Sequence, residues 1–279
     1  MLGPALALGS SLGYGVSDFL GGAASRRIGT LPFVFGMQTV MVVIAASWMA
    51  VSAAPVPPVT ALVAAAGAGL GMTVGIGAFF RAMVIGKMSL VAPVTATGVA
   101  VPIAAGIAQG ERPNIAQAVG LLAVTTGVLT VAGLTRKPRA ASIESGLGLA
   151  LVAAAGTGTF MWLMAPASRH SVAWALLMSR TVPAVGLTVT VMVRRTTLRL
   201  VVAPRNASMI VMCSLLAFSA TALYVLATTQ GQLMIVSVLG SLYPVVTVLL
   251  AYRVLGERIY RSQRLGVAAV LAGVVLLST

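Results

Sequence analysis

Residues 110–120 read GERPNIAQAVG and residues 256–266 read GERIYRSQRLG. Each motif closes an apolar stretch, from Leu90 in the first case and from Ile235 in the second, so the chain repeats itself once. The apolar runs between the two copies amount to about five membrane crossings. An odd number of crossings inserts the second half upside down relative to the first, and inverted halves are a transporter device.

Composition sets the solvent. Of 279 residues 59% are hydrophobic and 8% charged, with a mean hydropathy of +1.04. A soluble core cannot hide that much apolar surface, so lipid surrounds the chain. A spanning helix takes roughly 20 apolar residues, and about ten of them use nearly the whole length. Spans are expected at 3–23, 31–51, 59–80, 88–108, 115–134, 146–166, 172–193, 208–228, 234–252 and 263–278. Each must be helical, because hydrocarbon offers no partner to free backbone groups and the runs are too long for barrel strands. The expected fold is an all-α integral membrane protein with ten transmembrane helices. They form two inverted five-helix repeats, residues 1–139 and 140–279, around a central cavity. The first span has no basic n-region and leads straight into the second, so it reads as a retained helix rather than a cleaved signal peptide.

A net charge of +14 in a soluble domain would suggest nucleic acid. Here the basic residues sit between spans, where they report topology, and no nucleic-acid partner is expected. Loops after odd-numbered spans carry Arg26 and Arg27, Arg81 and Lys87, Arg136, Lys137 and Arg139, Arg194 to Arg205, and Arg253 to Arg264. The opposite side carries Arg112 and Arg169. Basic loops stay in the cytoplasm, so this bias places both termini outside an inner (plasma) membrane that the chain crosses many times. Aligned on the repeat, Arg81 and Lys87 become Leu226 and Gln232, whereas the second GER motif gains Arg261 and Arg264. The segment from Arg194 to Arg205 alternates charge with Leu198, Leu200, Val201 and Val202, a pattern fitting either a plain basic loop or a strip along anionic headgroups.

The stretches AMVIGKMSLVAPVTATGVAVPIAAGIAQGERPNIAQAVG (82–120) and VLATTQGQLMIVSVLGSLYPVVTVLLAYRVLGERIYRSQRLG (225–266) resemble the paired EamA domains of the drug/metabolite transporter (DMT) superfamily. The resemblance implies ten helices in a basket around a central cavity and the movement of small metabolites or drugs, often in exchange for protons. It also implies both termini in the cytoplasm, against the charge bias of this chain.

Of four acidic residues, Glu111, Glu144 and Glu257 fall in expected loops and Asp18 does not. Asp18 lies eight residues before Arg26, about 12 Å from the basic rim. A carboxylate there alternates between charged and neutral forms as a cavity opens to water, which is what proton coupling requires, and it also suits a substrate cation. A carboxylate pairing near a helix end is the competing reading. Ser11 and Tyr14 share its helical face. Arg180, the other intramembrane charge, sits above Asp18 by about 9 Å and needs a partner: a substrate carboxylate, Asp18, or carbonyls freed beside Pro183. Thr95, Ser241, Tyr243, Trp162 and Tyr224 are the expected lining of the cavity, although each aromatic fits packing as well. Pro93, Pro102 and Pro244 are expected to kink their helices. Glu111 and Glu257, each followed by an arginine (Arg112, Arg258), read as architectural acids complementing helices that begin near Asn114 and Ser262. Gly67, Gly71 and Gly75 form a ridge for close helix packing.

Several signals fail. Gly9-Ser10-Ser11-Leu12-Gly13 matches a nucleophile elbow but lies inside a span, and the single His170 has no link to it. Asn206-Ala207-Ser208 fits a glycosylation pattern on the cytoplasmic side. Cys213 is alone, and no metal-ligand cluster or phosphate loop occurs. The expectation is therefore no enzyme, no metal and no cofactor, but a secondary transporter moving a small amino-acid-like metabolite by alternating access, with the proton as a coupling partner and export as its direction. A lipid-linked sugar flippase and a non-transporting membrane subunit or sensor remain open.

Overall fold

The computed structural model describes residues 2–85, 91, 94–95, 97–131, 144–198, 201, 203–255, 265–266, 268–269, 272–273 and 276. The regular structure of these residues is helical. In order come α1 (Leu2–Ile28), α2 (Thr30–Ser52), α3 (Val59–Ile85), a 3-10 turn (Thr97–Val99) running into α4 (Ala100–Ala108), and α5 (Ile115–Val131). They are followed by α6 (Glu144–Ser168), α7 (Val172–Val193), α8 (Pro204–Gln230), α9 (Leu233–Gly240) and α10 (Tyr243–Leu255). Five of them, α2, α3, α6, α7 and α8, are long and apolar enough to cross a membrane.

Small residues bring the helices close along parts of their buried faces, as with Ala7, Ser10 and Gly15 on α1 or Ala61, Ala65, Ala68 and Gly69 on α3, while Phe33, Phe79, Phe80 and Tyr224 fill the core between them. Bulky apolar residues such as Val43, Val63, Leu122 and Val185 point outward. Lipid is as apolar as Leu, so helices associate through close backbone approach rather than by hiding large side chains. The glycine ridge of α3 shows this. A Cβ on Gly71 would meet the Gly156 carbonyl oxygen at 3.1 Å, and one on Gly75 would meet the Thr157 nitrogen at 3.1 Å. A Cβ on Gly69 would fall inside the Ser179 carbonyl. That carbonyl is the one left without its helical donor by Pro183, so α3 closes over it.

Two expected spans are not continuous helices. The fourth (88–108) is interrupted by the 3-10 turn at Thr97–Val99, and the ninth (234–252) breaks between Gly240 and Tyr243. At the second break the Leu242 and Val245 amides bond three residues back, to Leu239 and Leu242. The proline expectation was a kink; the outcome is a break, with Pro102 in the first turn of α4 and Pro244 in the first turn of α10, where a missing N–H costs nothing. Pro93 lies outside the described residues.

Contacts sort the connections to two ends of the bundle. At one end Gly3 packs on Gln230 and Gly231, Trp174 donates its indole N–H to the Ala54 carbonyl at 3.0 Å, and Arg169 reaches Gln109 at 3.4 Å. At the other end Arg26 donates to the Met83 carbonyl at 3.1 Å, and Val201 packs against Gly36 and the core. Val201 therefore docks on protein rather than along headgroups.

Gly69→Ala is expected to destabilise the fold by about 1–3 kcal/mol through overpacking. Gly77→Ala, on the same helix with nothing within 4 Å, should leave the midpoint unchanged or raise it slightly. Thermal unfolding of both variants in detergent checks the pair.

Candidate functional site

Two adjoining hollows lie among the helices, with cavity volumes of about 40 Å³ and 30 Å³. They share Tyr14, Asp18, Met72 and Ile76. Tyr14 and Asp18 lie about one turn apart on α1, which explains their common direction. One hollow is walled by aromatic rings, Phe79, Phe160, Tyr224 and Tyr243, and its rim includes Thr95 and Gly240, beside the two helix breaks. The other is polar on one side, with Ser17, Gln38, Arg180 and Thr221.

Arg180 is 4% exposed and Asp18 6%, both well inside the protein. They line the same hollow without forming an ion pair among the described residues. Arg180 instead donates from Nη2 to the Thr221 hydroxyl at 2.7 Å, and its guanidinium lies 6.0 Å from the centre of the Phe160 ring. The Nε of Arg180 is buried with no hydrogen-bond partner among the described residues. Gln38 holds the backbone beneath it, donating Nε2 to the Arg180 carbonyl at 2.6 Å.

Thr221 organises this cluster. Its own proton goes to the Ala217 carbonyl at 2.7 Å, leaving two lone pairs. One accepts from Arg180, so the other must accept from Tyr14, whose hydroxyl lies 2.7 Å away. Tyr14 is the donor in that contact, and its oxygen keeps acceptor capacity beside the Arg180 guanidinium. The same accounting holds at Tyr224, 1% exposed, which donates to the Met161 carbonyl at 2.9 Å and so receives the Ser237 hydroxyl at 2.8 Å. The Asp18 carboxylate has no hydrogen bond among the described residues and is left to whatever enters the hollow.

Residues 144–279 match the description EamA-like transporter family. This half of the chain is an EamA domain. The family is one of membrane transporters acting on small molecules rather than of enzymes, and the apolar helices agree with a multi-pass membrane protein of the DMT type. One solved crystal structure, 13% identical, superimposes with a TM-score of 0.78 over 98% of this chain and 95% of its own, so the fold extends beyond the EamA match into the first half. No curated protein sequence matches the chain.

The EamA domain contributes Arg180, Thr221, Tyr224 and Tyr243 to the hollows, and the first half contributes Tyr14, Asp18, Gln38 and Thr95. Other expected residues stand elsewhere. Ser11 is buried but donates to the Leu8 carbonyl of its own helix at 2.9 Å, and Ser241 does the same to Val238 at 2.7 Å. Trp162, 39% exposed, faces away from both hollows toward the lipid side of α6. The sequence reading missed Thr221, Gln38 and Phe160; Thr221 stands three residues before Tyr224, on the same face of α8, and that spacing was the available signal.

Glu111 needs a correction. Asn114 caps α5 through a reciprocal box, accepting from the Gln117 amide at 2.8 Å while Gln117 accepts from the Asn114 amide at 3.1 Å. Glu111 serves another helix: its two oxygens accept from the Leu233 and Met234 amides at 2.8 and 3.0 Å, the first free donors of α9 in the EamA domain. The geometry comes from the motif's glycine. Gly110 has φ +88°, and the bonds from Glu111 to Gly106 and from Gly110 to Ile107 close α4 in a Schellman turn that aims the next side chain across. Arg112 is exposed, and Glu257 and Arg258 lie outside the described residues.

Thr221→Val removes the shared acceptor and leaves the Arg180 and Tyr14 donors unpaired. A loss of about 1–3 kcal/mol is expected, read as a lower unfolding midpoint in detergent, with Thr221→Ser restoring it.

Proposed function

We propose that the chain is a secondary transporter built from two inverted five-helix repeats, residues 1–139 and 140–279, whose halves rock about the paired hollows to expose them to each side of an inner membrane in turn. The observation that carries this reading is the placing of two interrupted helices at corresponding points of the repeat, both edging the ring-walled hollow that holds Asp18 and adjoins the hollow lined by Arg180. Broken helices in equivalent positions are where transporters of this build bind their cargo. The helix pairings support the repeat as well. α1 packs on α8 as α6 packs on α3, and α2 packs on α7, which is what a two-fold exchanging α1 with α6, α3 with α8 and α2 with α7 requires. With the basic loops in the cytoplasm, both termini face outside.

The cargo that fits is a small zwitterion. A carboxylate meets the Arg180 guanidinium, an ammonium meets Asp18, and an apolar side chain enters the ring-walled hollow. Such an amino-acid-like compound leaves no buried charge unpaired, which in a membrane interior is the dominant cost. Proton and cargo compete for Asp18, and that competition couples export to proton entry. The charged hollow favours this reading over a sealed, non-transporting subunit.

A thermal-shift screen of amino acids and related metabolites in detergent should find a ligand that raises the midpoint by mass action. With that ligand, Asp18→Asn is expected to abolish pH-driven exchange in proteoliposomes while the unfolding midpoint is retained. Exchange at the parent rate in the variant would remove Asp18 from the coupling mechanism.

A further inference from the structure

The Glu111 contact joins more than two loops. α4 runs from the first helix break to the end of the bundle that carries Gly3 and Gln230, and α9 runs from that end back to the second break. Their inner ends edge the ring-walled hollow, through Thr95 just ahead of the 3-10 turn and through Gly240. Their outer ends are tied together by one carboxylate: Glu111 follows α4, and both its oxygens are engaged by the first two amides of α9. All eight residues of α9 are buried, so over its length of about 12 Å it moves as a rod. Gly106 makes room for the contact, since a Cβ there would meet Glu111 Oε2 and Met234 Cγ, each at 2.6 Å.

We propose that the Glu111 carboxylate is the latch of the gate at this end: while it holds α9 the hollow is shut toward the Gly3 face, and its release lets α4 and α9 part. The contact suits that duty because it is strong and replaceable. Charge-assisted bonds to helix N-terminal amides hold well, yet Glu111 is only half-buried and Gly231 and Gln232 beside it are exposed, so water can take over the freed amides. A latch placed in the hydrocarbon interior would have no such substitute. Trp174 and Arg169 stitch neighbouring connections on the same face, but by single hydrogen bonds to Ala54 and Gln109, and neither reaches α9.

The latch rests on the transporter reading for its purpose but is tested without cargo. Cys213 is buried, and with Cys213→Ala a single reporter, Thr95→Cys, is placed in the hollow. Proteoliposomes are treated with a membrane-impermeant maleimide, and a cysteine at Gln232 in a parallel sample marks the face reached. Glu111→Gln keeps the shape but accepts from one amide instead of two. It is expected to raise labelling from the Gln232 face about tenfold, the factor given by loss of one charge-assisted hydrogen bond, and to lower labelling from the opposite face. Gly106→Ala, which displaces the carboxylate from the other side, should act in the same direction and serves if Glu111→Gln does not fold. Unchanged labelling from both faces in the folded variants, with only a lower unfolding midpoint, overturns the latch and leaves Glu111 a helix cap. Sided labelling that responds as expected while no metabolite is ever moved overturns the transporter reading and keeps the latch.

Discussion

An unpaired peptide group in hydrocarbon costs several kcal/mol, and this constraint shapes everything else in the molecule. It makes the long apolar runs helical, and it decides where a helix is allowed to stop. The breaks at Thr97–Val99 and between Gly240 and Tyr243 are tolerated because Gly98, Val99, Ser241 and Leu242 are buried in protein and the local 3-10 bonds recover part of what the α-helix loses. A break of this kind on the lipid face would be too costly to keep.

The same constraint governs the side chains. Thr221 uses every bonding position it has, with one proton given and two lone pairs filled, and the result is a guanidinium held at one end with its Nε left over. Tyr224 repeats the arrangement on the aromatic side with Met161 and Ser237. Asp18, by contrast, has no hydrogen bond among the described residues and borders both hollows.

Much of this was legible in the chain. Composition alone demanded helices in lipid, and the spacing of Tyr14 and Asp18 on one helix put them together before any coordinate was known. Arg180 was identifiable as an interior charge because so few charges are present. Its actual partner was not, because a threonine on the next helix carries no mark in the sequence, and the obvious acid, Asp18, stays apart. Trp162 misled because an aromatic residue in a lipid-facing position looks the same in one dimension as an aromatic wall. The glutamate of the first GER motif reads as serving the helix next to it in sequence, whereas Gly110 turns Glu111 toward a helix more than a hundred residues further on. Local pattern names a cap; only the tertiary fold says whose.

The crossing of α3 and α6 has a mechanical consequence. Where Gly71 and Gly75 meet Gly156, backbone lies on backbone with no side chain between them. Side-chain interfaces slide by changing rotamers, but here there are no rotamers to change, and translation of one helix along the other drives a carbonyl into a Cα. Such a joint permits pivoting and resists shear.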